Sequence, residues 1–309
     1  MPRIVSRTPR RLAVLAAVSA ALALAAGCAG TTSDPGTNGV HVVAAENFWG
    51  SIATQLVGTK GSVQSIITNP AQDPHSYEPT SGDARTLATA RLAIVNGVGY
   101  DPWASQLVAA NPTQGRKVLN VGTLLGLHDG DNPHRWYDPA DVQRVANAIT
   151  ADLVALDPKD ANYFRRQRKA FFNQDLARYH AVMAAIKAHF AGVPVGASES
   201  IFALQAPALE LKLVTPYGFM KAISEGTELT AQETIIAERQ IDRRQLEVWV
   251  YNSQNATPEI QRLTLLARAR GIPVVTITET LTPRTDSFEE WQIAQLERLQ
   301  TALHKATGR

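Results

Sequence analysis

Short apolar runs of strand length alternate with amphipathic helical stretches along this chain, and that alternation leaves few folds open. Val40 to Ala45, Ser62 to Thr68, Leu92 to Asn96 and Lys117 to Val121 are the runs of the first half. Phe48 to Val57, Asp83 to Ala90 and Trp103 to Ala110 carry helical periodicity between them, and Val142 to Leu156 follows as a further helix. Strands that each lead into a helix argue for a parallel sheet covered on both faces. The same style returns later, with strands expected over Val193 to Ala197, Leu246 to Tyr251 and Ile272 to Thr276. Helices are expected there over Ile201 to Leu211, Ala231 to Arg243, Pro258 to Ala269 and Phe288 to His304. The fold class is therefore α/β in two lobes, each a mainly parallel sheet flanked by helices.

A single long helix is expected to join the lobes. Asp157-Pro158 reads as an N-cap followed by proline at the first helical position, with Asp160 suited to the positive end of the dipole. Apolar residues recur at Phe164, Phe172, Leu176, Tyr179, Met183, Ile186 and Phe190, the stripe of an amphipathic helix. Gly192 and Pro194 end it. From Pro158 to Phe190 such a helix would extend roughly 50 Å at about 1.5 Å per residue, a rigid strut with little hinge motion. The basic patch Arg165, Arg166, Arg168 and Lys169 is flanked by acids and lacks interleaved aromatics, so it reads as a solvated face.

The N-terminus has the character of an export signal. Arg3, Arg7, Arg10 and Arg11 precede an apolar run from Leu12 to Ala26, too short to span a bilayer comfortably. Ala25-Ala26-Gly27 then leads to Cys28, the only cysteine. A lone thiol in an exported protein has no disulfide partner, which favours cleavage before Cys28 and a lipid on its sulfur. Ala25 stands where a lipobox usually has leucine, and ordinary secretion with an incidental cysteine is the plainer alternative. The Arg10-Arg11 pair does not complete a twin-arginine motif. The expected plan is a signal peptide over 1–27, a tether over 28–39, a first lobe over 40–156, the linking helix over 157–191 and a second lobe over 192–309.

Loss of residues 1–27 removes four arginines and no acids, leaving 26 basic against 28 acidic residues. The mature chain is thus near neutral, and nothing in its charge calls for nucleic acid.

Four side chains occupy comparable places, each in a loop after a strand. His75 lies in Asn69-Pro70-Ala71-Gln72-Asp73-Pro74-His75, a stretch stiffened by proline beyond the Ser62 to Thr68 run. His134 lies in Asn132-Pro133-His134-Arg135-Trp136-Tyr137-Asp138-Pro139. Glu199 follows Val195-Gly196-Ala197-Ser198, and Glu279 follows Val275-Thr276-Ile277-Thr278. Taken singly, a loop histidine is more often solvated, Glu199 is an ordinary helix-dipole acid, and Glu279 an exposed loop acid. Open α/β sheets do bind ligands past the carboxyl ends of their strands, and two Pro-His pairs make a bound metal worth testing.

The combination resembles the metal-binding lipoproteins that feed manganese or zinc to ABC importers. The matching stretches are Asn69-Pro70 through Pro74-His75 and Tyr77-Glu78-Pro79, Gly99-Tyr100-Asp101 with Trp103, and Asn132-Pro133-His134 with Trp136-Tyr137-Asp138-Pro139. Tyr251-Asn252-Ser253-Gln254, Ile272-Pro273-Val274-Val275 and Thr278-Glu279-Thr280 continue them, so the resemblance covers about Val40 to the C-terminus. It implies two lobes on one long helix and one ion held between them by His75, His134, Glu199 and Glu279. The partners it implies are an ABC permease with its ATPase, and a membrane reached through lipidated Cys28 on the outer face of the cytoplasmic membrane. It further implies a monomer that is not an enzyme. Zinc-type members often have histidine where Glu199 stands, and aspartate is common at the position of Glu279. The histidine-rich loop of some zinc members is missing; only His128, Asp129 and Asp131 precede His134.

Two neutral imidazoles and two carboxylates around a divalent ion give a neutral site that can be buried. Glu199 in place of an imidazole hardens the set toward manganese, with zinc second, since affinity rises from manganese to zinc at most nitrogen/oxygen sites. A zinc hydrolase would use the same residue types, and an adhesin or structural lipoprotein is a further reading. No His-Glu-x-x-His helix or nucleophile elbow supports the hydrolase. His41, His128, His180, His189 and His304 are expected to do no chemistry.

Overall fold

The computed structural model describes residues 39–72 and 74–309. The expected signal peptide, Cys28 and the tether up to residue 38 lie outside the described residues.

Two four-stranded parallel sheets organise the chain. The first contains β1 (Val40–Glu46), β2 (Gly61–Ile67), β3 (Leu92–Val95) and β4 (Lys117–Asn120) in the order β2-β1-β3-β4. The second contains β5 (Pro194–Ala197), β6 (Lys212–Leu213), β7 (Val248–Asn252) and β8 (Val274–Ile277) in the order β6-β5-β7-β8. Every pairing in both sheets is parallel. Helices cover both faces, and β1, β3 and β7 are almost wholly buried, which explains their continuous apolar runs. In each sheet the first strand is central and the chain reverses direction beside it. Loops at the carboxyl ends on either side of such a reversal diverge and leave a crevice.

Several helix starts follow from local chemistry. Thr80 and Asp83 form a reciprocal capping box, as do Ser287 and Glu290. The helix Pro139–Leu156 begins three residues before the expected Val142, because Asp138 caps the backbone of Ala140 and Asp141 and Pro139 fills the first turn.

The joining segment is helical from Pro158 to Phe190, but it is not uniform. A 3-10 turn, Pro158–Asp160, leads into the α-helix Ala161–Ala170, a π segment, Phe171–Asp175, and the α-helix Ala177–Phe190. Asp157 makes no capping hydrogen bond with its side chain. The π segment corrects the expected stripe: Phe171 is fully buried and Phe172 is not. The amide of Leu176 bonds the carbonyl of Phe171 at 2.9 Å, so one extra residue fits into the turn. That insertion brings Phe164 and Phe171 into line with Leu176, Tyr179, Met183, Ile186 and Phe190.

The second lobe departs from expectation in one expected helix, in the short strand β6 and in an added helix. Ile201 to Leu211 is a 3-10 turn, Ser200–Ala203, and a single α turn, Gln205–Ala208. Pro207 lacks the amide a continuous helix needs there, and Glu210 turns back at φ 54°. The helix Tyr217–Glu225 and the short Val121–Leu125 lie where no element is expected from the sequence. Among the described residues, no helix is long and apolar enough to cross a membrane.

Candidate metal centre

Loops from the carboxyl ends of both sheets meet, and all four candidate side chains lie where they meet. Single donor atoms of His75, His134 and Glu279 fall within 4.8 Å of one another. Glu199 sits just outside that triangle, its Oε1 3.7 Å from His134 Nε2. Glu279 Oε2 lies 3.9 Å from His75 Nε2. The second lobe therefore supplies one carboxylate opposite each imidazole of the first.

His75 rides on a 3-10 turn, Pro74–Ser76, in the loop after β2. Asn69 starts that loop with an Asx turn, its Oδ1 accepting from the amide of Ala71 at 3.0 Å. Tyr77 pins the far side, donating to Asp83 at 2.9 Å and packing edge-on against Trp103. The imidazole of His75 meets the Tyr100 ring edge-on, with centroids 4.5 Å apart.

His134 is fully buried, and its orientation is fixed. The amide nitrogen of Asn132 donates to the carbonyl of Ser200 at 2.7 Å, which turns Asn132 Oδ1 toward His134. That oxygen accepts from the backbone amide of His134 at 3.1 Å and lies 2.9 Å from its Nδ1. Nδ1 must then carry the proton, which leaves the Nε2 lone pair aimed at the carboxylates. Among the described residues Nε2 has no hydrogen-bond partner. Burial, and then the neighbouring His75, push the imidazole well below its usual range, so it stays neutral.

The carboxylates share one donor. Asn252, at the end of β7, directs its amide nitrogen to Glu199 Oε2 at 2.5 Å and to Glu279 Oε1 at 2.9 Å. Tyr100 donates to Glu279 Oε2 at 2.9 Å from the first lobe. Gln254 Oε1 accepts from the backbone amides of Glu279 and Thr280, at 2.5 and 2.9 Å, and fixes the turn that carries Glu279. The amide nitrogen of Gln254 bonds the Pro70 carbonyl in the His75 loop and Thr280 Oγ1.

Behind this cluster lies a second pair of buried acids, Glu46 at the end of β1 and Asp101. Asp101 accepts from the amides of Asn96 and Gly97, both at 2.7 Å. Those bonds hold a loop in which Gly97, Val98 and Gly99 all have positive φ, a strained state for β-branched Val98. The same loop carries Tyr100, and Asn96 also bonds Trp49 and the carbonyl of Pro133. Burial pushes Asp101 up to about 7. Glu46 is pushed well above the usual carboxylate range, by burial first and then by Asp101.

Sequence reasoning singled out none of Tyr100, Asn132, Asn252, Gln254, Glu46 or Asp101 for a role. Asn252 ends β7, and Tyr100 and Gln254 follow strand ends as His75, Glu199 and Glu279 do, and that position was the available signal. His134 does not share it directly, since the helix Val121–Leu125 intervenes after β4. His128, His180, His189 and His304 are exposed, and His41 bonds Ser62 Oγ at 2.8 Å, well away from the cluster on β1.

A profile of the family described as zinc-uptake complex component A, periplasmic, matches residues 42–302. The manganese-binding lipoprotein MntA of Halalkalibacterium halodurans is 30% identical over 162 residues, 50% of this chain and 52% of that protein. The high-affinity zinc uptake system protein ZnuA of Bacillus subtilis is 25% identical over 193 residues, 54% of this chain and 60% of that protein. The chain thus spans about half the length of the curated relatives it matches. Among solved structures, a metal-free mutant of a periplasmic metal-binding protein from Candidatus Liberibacter asiaticus superposes with a TM-score of 0.71 at 16% identity. That match covers 85% of this chain and 99% of the other, a likeness of fold.

Proposed function

Because the chain belongs to the zinc-uptake complex component A family, we propose that it captures one divalent transition-metal ion between its lobes and delivers it to an ABC importer. The observation that carries this reading is the convergence of His75, His134 and Glu279, with Glu199 beside them, from loops of two different sheets. The ion is cargo, and His75, His134, Glu199 and Glu279 are its proposed ligands. Two carboxylates neutralise a divalent charge, so the filled site can stay buried without an unpaired charge. Asn132 holds His134 in the tautomer that offers Nε2, and Tyr100 with Asn252 orients the acids. Manganese and zinc are the proposed cargo, the metals for which the two relatives are named.

Capture is favoured over hydrolysis because the acids are already committed. Both oxygens of Glu279 and one of Glu199 accept hydrogen bonds from Asn252 or Tyr100, which suits a ligand better than a general base. The proposed partners are a permease and its ATPase, met by a monomer.

Calorimetric titration of metal-stripped protein with manganese and zinc tests the reading. His75→Ala, His134→Ala, Glu199→Ala and Glu279→Ala should each weaken binding at least tenfold, or about 1.4 kcal/mol, while His180→Ala changes nothing. Binding requires neutral imidazoles and ionised carboxylates, so affinity should be flat above neutrality and fall in acid. Because burial holds His134 well below its usual range, its protonation competes only at more acid pH than that of a free imidazole. A wild type that takes up neither metal would overturn the proposal, and a variant that binds like wild type would remove its residue from the site.

Export with a lipid on Cys28 completes the proposal, supported by the signal-like leader and by relatives named as lipoproteins. Wild type should enter the detergent phase on partitioning and Cys28→Ser should not; equal release of both into water would refute the anchor.

A further inference from the structure

We infer that Asn252 limits Glu199 and Glu279 to one metal-binding oxygen each, and thereby favours four-coordinate zinc over manganese. The inference rests on the metal-capture reading and deepens it. Asn252 ends β7, which lies between β5 and β8 in the second sheet. Glu199 follows β5 and Glu279 follows β8, so Asn252 stands between the two acids by topology. Its surroundings fix its amide. The backbone nitrogen donates to Ser198 Oγ at 3.0 Å, and its Oδ1 accepts from the amide of Gln254 at 3.0 Å. The side-chain nitrogen must then face the acids, with one hydrogen for each.

The two bonds select among the carboxylate oxygens. Asn252 holds Glu199 Oε2, while Glu199 Oε1 is the oxygen 3.7 Å from His134 Nε2. It holds Glu279 Oε1, while Glu279 Oε2 is the oxygen 3.9 Å from His75 Nε2. In each acid the amide turns one oxygen away from the imidazoles, and the other faces one. Glu279 Oε2 also accepts from Tyr100 at 2.9 Å, which leaves its second lone pair for an ion, so it is direction and not the hydrogen bond alone that excludes the amide-held oxygen. For either acid to bind an ion with both oxygens, the amide-bound oxygen would have to turn onto the metal. A buried N–H would then lose its acceptor in a residue with no exposed surface. The amide therefore holds the donor set at two nitrogens and two oxygens, a count that satisfies zinc. Manganese prefers more oxygen donors, which this arrangement withholds, so the order expected from Glu199 alone, manganese before zinc, is reversed. Asn252 acts through the carboxylates and is a positioning residue.

The test compares metal-stripped wild type with Asn252→Leu and Asn252→Ala, with folding checked by circular dichroism. Zinc and manganese affinities are read by competition with a chromogenic chelator, and cobalt(II) serves as a probe of coordination number, since four-coordinate cobalt absorbs visible light far more strongly than six-coordinate cobalt. Wild type should show the intense cobalt band. In both variants the band should weaken, and the ratio of zinc to manganese affinity should fall about tenfold. An unchanged ratio and an unchanged cobalt spectrum in variants that still bind would overturn the inference and leave metal capture standing. A weak, six-coordinate cobalt spectrum in wild type would overturn it too, as would failure of both variants to fold, which would make Asn252 a folding residue. Wild type that binds none of the three metals would instead refute the capture reading itself.

Discussion

At the scale of single residues, the acids behind the four-residue cluster have the clearest pH signature. Asp101 is pushed up to about 7, and Glu46 is raised as well, so the folded chain keeps protons that the unfolded chain releases near pH 4. Groups raised in this way contribute stability that is fully present below the unfolded value and is lost as pH rises through the folded one. Glu46→Gln keeps the shape and removes one titrating group. The variant should gain stability relative to wild type as pH rises from about 4 to 8, by about 1–3 kcal/mol, read from urea unfolding of metal-free protein at each pH. A constant difference across that range would show that the pair does not titrate there. Such residues also explain what was hard to read beforehand. His75 and His134 stand out because two Pro-His pairs recur in stiffened loops, although a single loop histidine is more often solvated. Tyr100, Asn132, Asn252 and Gln254 bind other side chains, and a polar residue whose partner is distant in sequence carries no spacing signature.

At the scale of elements, the joining helix shows how close and how incomplete the sequence reading was. Seven of the eight strands were legible to within two residues at either end, because parallel strands buried on both faces must be short and apolar throughout, whereas the two-residue β6 was too short to show a pattern. The fine structure of helices was less legible. Pro207 breaks a segment whose apolar pattern alone looked continuous, and the helix Tyr217–Glu225 follows Pro216 without a side-chain cap to announce it. The π segment at Phe171–Asp175 was hidden because Phe171 and Phe172 are adjacent, and either could extend the stripe. Its extra residue suggests an asymmetry between deletions. Removing Phe172 should let the segment become α-helical with Phe171 four places from Leu176, and stability should change by less than about 1.5 kcal/mol. Removing Ala184 instead rotates buried Ile186 and Phe190 off the face, which should cost more than about 3 kcal/mol. Denaturant midpoints of the two deletions decide this; equal losses would mean that the π turn does no register correction.

At the scale of the whole molecule, the lobes are held by more than the strut. Tyr100 reaches Glu279, Asn132 reaches the carbonyl of Ser200, and Tyr137 donates to the carbonyl of Thr278 at 2.8 Å. Farther from the site, Ser51 Oγ accepts from the amide of Phe288 and Gln55 bonds Glu289, which ties the C-terminal helix Phe288–Thr307 to the first lobe. With the lobes tied at this many points besides the strut, binding should order loops without a wide closure. Solution scattering should give a radius of gyration of about 19 Å that changes by only a few per cent on adding metal, and a large contraction would contradict it. The cage is also lopsided. His134, Glu199 and Glu279 have side chains 0 to 3% exposed, whereas that of His75 is 20% exposed. Departure of a captured ion would then be sequential, with His75 the first bond to open and the buried acids the last. Dwell time would be governed by the loop after β2, and a receptor that draws this one loop outward could unload the cargo while the rest of the molecule stands still.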